Sequence, residues 1–163
     1  CVKGNEMEHY EEFKDKLIKE RMIVHEEENC FCVHLKGNYG LHVIEVSPTE
    51  NGCINSFIYH YMDIPTEVKP KVLEYINEVN QGLSIGAMYT DSDSICFRYL
   101  LESPTNVEDT ASTIIGYGFN ALDTYTSGLL QVTYANVSPK EAYEQANLEM
   151  TARFTNGKDI AES

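Results

Sequence analysis

Apolar residues recur along this chain with two different periods, and the changes of period mark its elements. From Tyr10 the positions Tyr10, Phe13, Leu17 and Met22 fall at helical spacing among glutamates and lysines, which predicts an amphipathic helix over 8–22 with its charged face to water. Cys30 to Lys36 alternates with period two and places Phe31, Val33 and Leu35 on one face of a strand, and Gly37-Asn38-Tyr39-Gly40 supplies turn residues. Leu41 to Val46 is apolar on both faces apart from His42 and Glu45, the pattern of a strand inside a sheet, and Ser47 to Gly52 closes it. Ile54 to Met62 carries Phe57, Tyr59 and Tyr61 on one side and Ile54, Ile58 and His60 on the other. Short turns between three successive strands imply an antiparallel meander.

A helix follows, opened by Asp63-Ile64-Pro65-Thr66, with Val68, Val72, Ile76 and Val79 on its apolar stripe, Thr66 as cap, Pro70 in the first turn and Gly82 at the end. Its two asparagines, Asn77 and Asn80, order the helix end rather than touch a ligand. Leu83 to Tyr89 and Ile95 to Leu101 read as a hairpin around the turn Thr90 to Ser94, which makes five strands. Thr105-Asn106-Val107-Glu108 is a capping box before the stripe Val107, Ala111, Ile114, Leu122 and Tyr125, which runs to about Gly128. Gly116 and Gly118 either weaken that helix or permit close packing. Ser138 and Pro139 start a final helix, which is expected to fray after Phe154.

The fold expected is α+β, a five-stranded antiparallel sheet with helices packed on one face, in the order α-β-β-β-α-β-β-α-α. One domain spans 8–154, between a leader or flexible N-terminus (1–7, with Met7 a candidate start) and a flexible tail (155–163). With 163 residues, 42% hydrophobic and 23% charged, the chain has the composition of a globular domain with one core.

Charge narrows the partners. A formal net charge of −14 repels phosphate backbones and anionic membrane surfaces, which argues against nucleic acid and membrane. The same charge suits a basic protein partner, and equally serves plain solubility. No apolar stretch approaches the roughly 20 residues that cross a bilayer. Five cysteines, an odd number without CxxC pairs, argue against a disulfide framework and for a reducing, cytoplasmic compartment. The triplet Asn136-Val137-Ser138 matters only in a secretory setting, and Cys1 would suit a mature lipoprotein only behind a lipobox.

Candidate chemistry is sparse. Cys30, Cys32 and His34 share one strand face and offer soft donors to zinc, with His42, His60 or Cys53 on neighbouring strands to complete a set, although ordinary strand packing explains the same alternation. No local signature announces a base for any cysteine, Glu26-Glu27-Glu28 reads as a solvated turn, and phosphate-cradling glycine loops are missing. The expectation is a non-enzyme with no catalytic residues, no metal and no cofactor. Eleven tyrosines supply either core or a protein-binding face, and Tyr39, Tyr59, Tyr61, Tyr89 and Tyr99 are the candidate binding residues.

The stretch Val72-Leu73-Glu74-Tyr75-Ile76-Asn77-Glu78-Val79-Asn80, followed by Leu83, Gly86 and Ile95-Cys96-Phe97-Arg98-Tyr99-Leu100, resembles the YbjN-like proteins, whose fold is similar to type III secretion chaperones. The resemblance covers about Tyr10 to Gly128. It implies a bacterial, often dimeric α+β domain that binds proteins or serves regulation, and it carries over no catalytic residue. The function expected is a non-enzymatic chaperone-like or regulatory module that holds a protein segment or its own copy on an uncovered sheet face. The alternatives are an acidic immunity or inhibitor protein that neutralises a basic toxin or nuclease, and a metal-dependent enzyme on the Cys30, Cys32 and His34 face.

Overall fold

The computed structural model of the protein describes residues 3–50, 53–91, 94–101 and 106–161, and among their side chains those from 8 to 155. Strands β1 (Val24–Glu26), β2 (Phe31–Lys36), β3 (Leu41–Pro48), β4 (Ile54–Tyr61), β5 (Ala87–Thr90) and β6 (Ser94–Leu101) form one antiparallel sheet in the order β1-β2-β3-β4-β6-β5. The expected α+β antiparallel class is therefore observed, but with six strands instead of five and with a fourth strand before the second helix. The strand that sequence reading missed is β1, three residues with one apolar side chain, too short to display a period of two. It exists because it pairs with β2 in the register Val24↔Val33, His25↔Cys32 and Glu26↔Phe31. The Glu27 amide bonds the Cys30 carbonyl at 2.9 Å, so the glutamate run forms the turn of this hairpin.

The hairpin β5–β6 is also shorter than expected, since its first strand begins at Ala87 and not at Leu83. Gly86 takes φ +74°, a left-handed conformation open to glycine, and a Cβ there would collide with the Phe97 ring. Residues 92 and 93 of its turn, Asn51 and Gly52 before β4, and Thr105 of the capping box lie outside the described residues.

The helices are α1 (Lys3–Lys19), α2 (Lys69–Gly82), α3 (Val107–Ala111), α4 (Asn120–Tyr134) and α5 (Pro139–Ala161), with a π-helical segment (Ser112–Phe119) joining α3 to α4. Backbone from Lys3 is already helical, and α5 continues past Phe154 to Ala161. α1 stops at the left-handed Arg21, φ 63°. α2 starts after Val68 with Pro70 in its first turn, and Thr66 is not its cap. Asn106 caps α3 by accepting from the Asp109 amide at 2.8 Å, and Ser138 accepts from the Glu141 amide at 3.3 Å at the start of α5. Both glycines of Gly116-Tyr117-Gly118 fall in the π-helical segment, and a Cβ on Gly118 would come within 2.9 Å of Ile58, so close packing explains that glycine.

Burial on the strands alternates, and most of the large aliphatic alternates point one way. Phe31, Val33, Ile44, Val46, Ile54, Ile58, Ile95 and Phe97 are buried against Phe13 and Leu17 of α1, Val72, Tyr75 and Val79 of α2, Ile114, and Leu122 and Leu129 of α4. α1, α2, the π-helical segment and α4 pack on this face, and α5 lies against α2 and α4 through Ala142 and Ala146. The other alternates, among them Val43, Phe57, Tyr59, Tyr61 and Tyr89, stay outside this core. Helices thus cover one face, as the sequence implies, and the register of β4 fixes which residues are left on the other.

Asn80 does more than close a helix. Its carboxamide accepts from the Met88 amide at 2.7 Å and donates to the Met88 carbonyl at 2.8 Å, occupying the outer edge of β5 as a neighbouring strand would. Replacing Asn80→Ala should lower the unfolding free energy by about 1–2 kcal/mol in urea titration and accelerate amide exchange at Met88. An unchanged Met88 exchange rate would contradict this role.

Candidate functional site

Cross-strand register assembles the uncovered face. Val43 lies opposite Tyr59 and Glu45 opposite Phe57, while β6 sets Arg98 against Phe57 and Cys96 against Tyr59, and β5 sets Tyr89 against Cys96. Two-residue spacing along β4 then stacks three rings in a row. Phe57 and Tyr59 have centroids 6.1 Å apart at 12°, and Tyr59 and Tyr61 repeat the 6.1 Å spacing at 20°. The Arg98 guanidinium sits 5.1 Å from the Phe57 ring centroid and its Nε donates to Asn55 Oδ1 at 3.4 Å. Tyr61 is 62% exposed and Tyr89 37%, so the ladder ends in water.

Beside the ladder, toward β1, the face sinks into a shallow concavity of about 530 Å³ lined by His25, Glu27, Cys32, Glu45, Tyr59 and Tyr61, among others. The His25 and His34 rings lie 5.3 Å apart at its rim. Burial, and then the neighbouring Glu27 carboxylate, raise the Glu45 carboxyl above its ordinary range. Burial, followed by the Glu45 charge, pushes the Tyr59 phenol up as well.

Of the five candidate tyrosines, the structure brings Tyr59, Tyr61 and Tyr89 together on this face. Tyr99 pairs with Ser56 on the helix-covered side and packs against the core. Tyr39 belongs to the β2–β3 turn, where its hydroxyl donates to Glu149 of α5 at 2.7 Å. Phe57, Glu45 and Arg98 join the face without having been candidates. Phe57 was legible from its spacing to Tyr59, whereas the register that adds Glu45 and Arg98 is not written in any one strand.

Cys32 and His34 share the open face, and Cys30, just before β2, keeps its thiol in contact with that of Cys32 and 3.8 Å from Glu27 Oε2. His42 and His60 are buried on the opposite face and so cannot complete a donor set with Cys32 and His34. Among the described residues no three His, Cys, Asp or Glu side chains are grouped to hold a metal ion. Burial pushes the Cys32 thiol up to about 12 and the Cys96 thiol to about 11, which keeps both protonated and poorly nucleophilic at neutral pH.

A second polar constellation lies under the helices. Asp123, 1% exposed in the first turn of α4, accepts from His42 Nε2 at 2.8 Å, from the Asn38 and Tyr39 amides at 3.0 Å each, and from Arg153 at 3.2 and 3.3 Å. Burial alone would raise this carboxyl, but the bonds from His42, Tyr39, Asn38 and Arg153 outweigh it and hold the carboxyl below its ordinary value. The His42 ring lies 5.1 Å from that of His60, tilted at 49°, and the Nδ1 atoms of both rings make no hydrogen bond among the described residues. Gly37 and Gly40 let the turn approach, since a Cβ on the first would strike the Asp123 carboxylate and on the second would reach 2.8 Å from the His60 ring. An aspartate orienting a histidine is half of a nucleophilic triad. His42 is fully buried, however, and its free nitrogen is bonded to no hydroxyl or thiol, so the arrangement fastens the turn to α4 and α5.

No protein-family model matches the chain, and no curated protein matches it. Among the described residues no helix is long and apolar enough to cross a membrane. The fold and the site together define an α+β domain whose sheet is covered on one face and presents aromatic side chains on the other.

Removing the Asp123 carboxylate leaves His42 and two amides without an acceptor and takes one of its acceptors from Arg153, so Asp123→Ala should cost about 3–5 kcal/mol of stability by urea unfolding. Burial first, and then His42, hold His60 below its ordinary 6.5, so the unfolded chain takes up that proton before the folded one does. Stability should therefore fall as pH drops below 6.5, and fall again below 3.8 as the unfolded state protonates Asp123 first. Unfolding curves across this range should show the upper slope reduced in His60→Gln; an identical slope would rule out His60 as its source.

Proposed function

We propose that this chain is a non-enzymatic, chaperone-like protein-binding module that holds a basic polypeptide segment on its uncovered sheet face. The observation that carries the reading is the ladder Phe57, Tyr59 and Tyr61, with Tyr89 beside it, on a sheet whose other face is fully occupied by helices. Aromatic side chains bring large contact area at small entropic cost and dominate the energetics of protein interfaces. The occupant is a basic partner and not a second copy, because each chain carries a net charge of −14 and two copies would meet with like charge.

The YbjN-like resemblance of Val72 to Asn80 and of the following hairpin supports the same class, a domain related in fold to secretion chaperones. The odd set of cysteines without CxxC pairs fits a cytoplasmic setting. An immunity or inhibitor protein directed at a basic toxin or nuclease would use the same face and the same charge, and differs only in what binding does to the partner.

The test is an array of immobilised peptides graded from acidic to basic, probed with the parent protein and with the double variant Tyr59→Ala/Tyr61→Ala. Basic peptides with apolar residues should bind best, with affinity falling as salt rises, and the double variant should bind at least about tenfold more weakly while unfolding at a similar temperature. Equal binding by the double variant, or light scattering and labelling that place this face inside a homodimer, would refute the proposal.

A further inference from the structure

We infer that Glu45, with the aromatic rings beside it, forms a pocket for a single cationic side chain of the bound segment, a lysine or an arginine. This deepens the preceding proposal and rests on it for the biological occupant. Glu45 stands in the middle of β3 on the open face, between Cys32 of β2 and Phe57 of β4. Among the described residues it has neither an ion pair nor a hydrogen bond, and the one charge that acts on it is another anion, Glu27. Arg98, the cation that β6 contributes to the face, is engaged by the Phe57 ring and by Asn55 instead.

A partly desolvated carboxylate without a counter-ion is destabilising, and a strand position flanked by apolar neighbours would ordinarily hold an apolar residue. The surroundings of Glu45 fit a cation. The concavity of about 530 Å³ is lined by the Glu45 and Glu27 carboxylates, the His25 and His34 rings, and Tyr59 and Tyr61. An ammonium or guanidinium entering there meets a carboxylate acceptor beside tyrosine rings. The aliphatic stem of the same side chain would lie along Val43.

The pocket can be tested without knowing the partner. Nα-acetyl-arginine methylamide and Nα-acetyl-lysine methylamide are titrated into the protein while backbone amide resonances are followed, with the neutral citrulline analogue as control. The cationic compounds should shift the amides of Cys32, Glu45, Phe57 and Tyr59 and bind about tenfold more tightly than the citrulline compound, and Glu45→Gln should abolish that preference while keeping the dispersed spectrum of a folded chain. Equal binding of the citrulline compound, a preference that survives Glu45→Gln, or no shift at these amides up to the solubility of the ligands would overturn the inference. The two readings fail separately. Loss of basic-peptide binding in Tyr59→Ala/Tyr61→Ala together with an unchanged arginine preference in Glu45→Gln sinks the cation pocket and leaves the binding face standing. Unchanged peptide binding by both variants sinks the pair.

Discussion

The Asp123 carboxylate is the point at which the helical layer is fastened to the sheet. A charge buried at 1% exposure is tolerable only when every lone pair is engaged, and here the donors come from β3, from the β2–β3 turn and from α5 at once. Such a group contributes less to net stability than to uniqueness, because any other placement of α4 or α5 would strand the charge. Glu149 extends the tie by accepting from both Arg153 and the Tyr39 hydroxyl. The last two helices are thereby committed to the side of the sheet that α1 and α2 already occupy, and nothing among the described residues is left to cover the other side.

That commitment decides where a partner can engage. A sheet has edges as well as faces, and the edge strands of this one are short. β1 is three residues long and ends in Glu26, while the outer edge of β5 is taken by the Asn80 carboxamide. The open face remains, with three stacked rings, a desolvated glutamate and the arginine of β6 laid over a ring. On the proposed reading its chemistry is that of side-chain recognition, aromatic contact area supplemented by a negative charge, with the acidity of the whole molecule favouring a basic polypeptide.

Much of this architecture is written in local patterns. The alternation of Ile54 to Tyr61 by itself separates the two faces of β4, and it puts Phe57, Tyr59 and Tyr61 together correctly. Helix α2 follows from the spacing of Val72, Ile76 and Val79, and Ser138 marks the start of α5. What escaped local reading depends on tertiary partners. β1 is a strand only because β2 offers it an edge, Tyr99 turns inward because its register with Ser56 sets its side, and Glu45 gains its meaning from a cross-strand neighbour. Asp123 gave no signal beyond being a lone acid in an apolar run, since its donors lie far away in sequence, more than 80 residues toward the N-terminus for His42.

On the proposed reading the Phe57, Tyr59 and Tyr61 face is uncovered in the free protein and becomes covered by basic polypeptide. Hydroxyl-radical footprinting, read residue by residue by mass spectrometry with and without a bound basic peptide, measures this directly. Phe57 and Tyr61 should oxidise in the free protein much faster than the buried Tyr75 and Phe97, and the peptide should slow them selectively. Oxidation of Phe57 and Tyr61 as slow as that of Tyr75 in the free chain, or rates indifferent to the peptide, would contradict it.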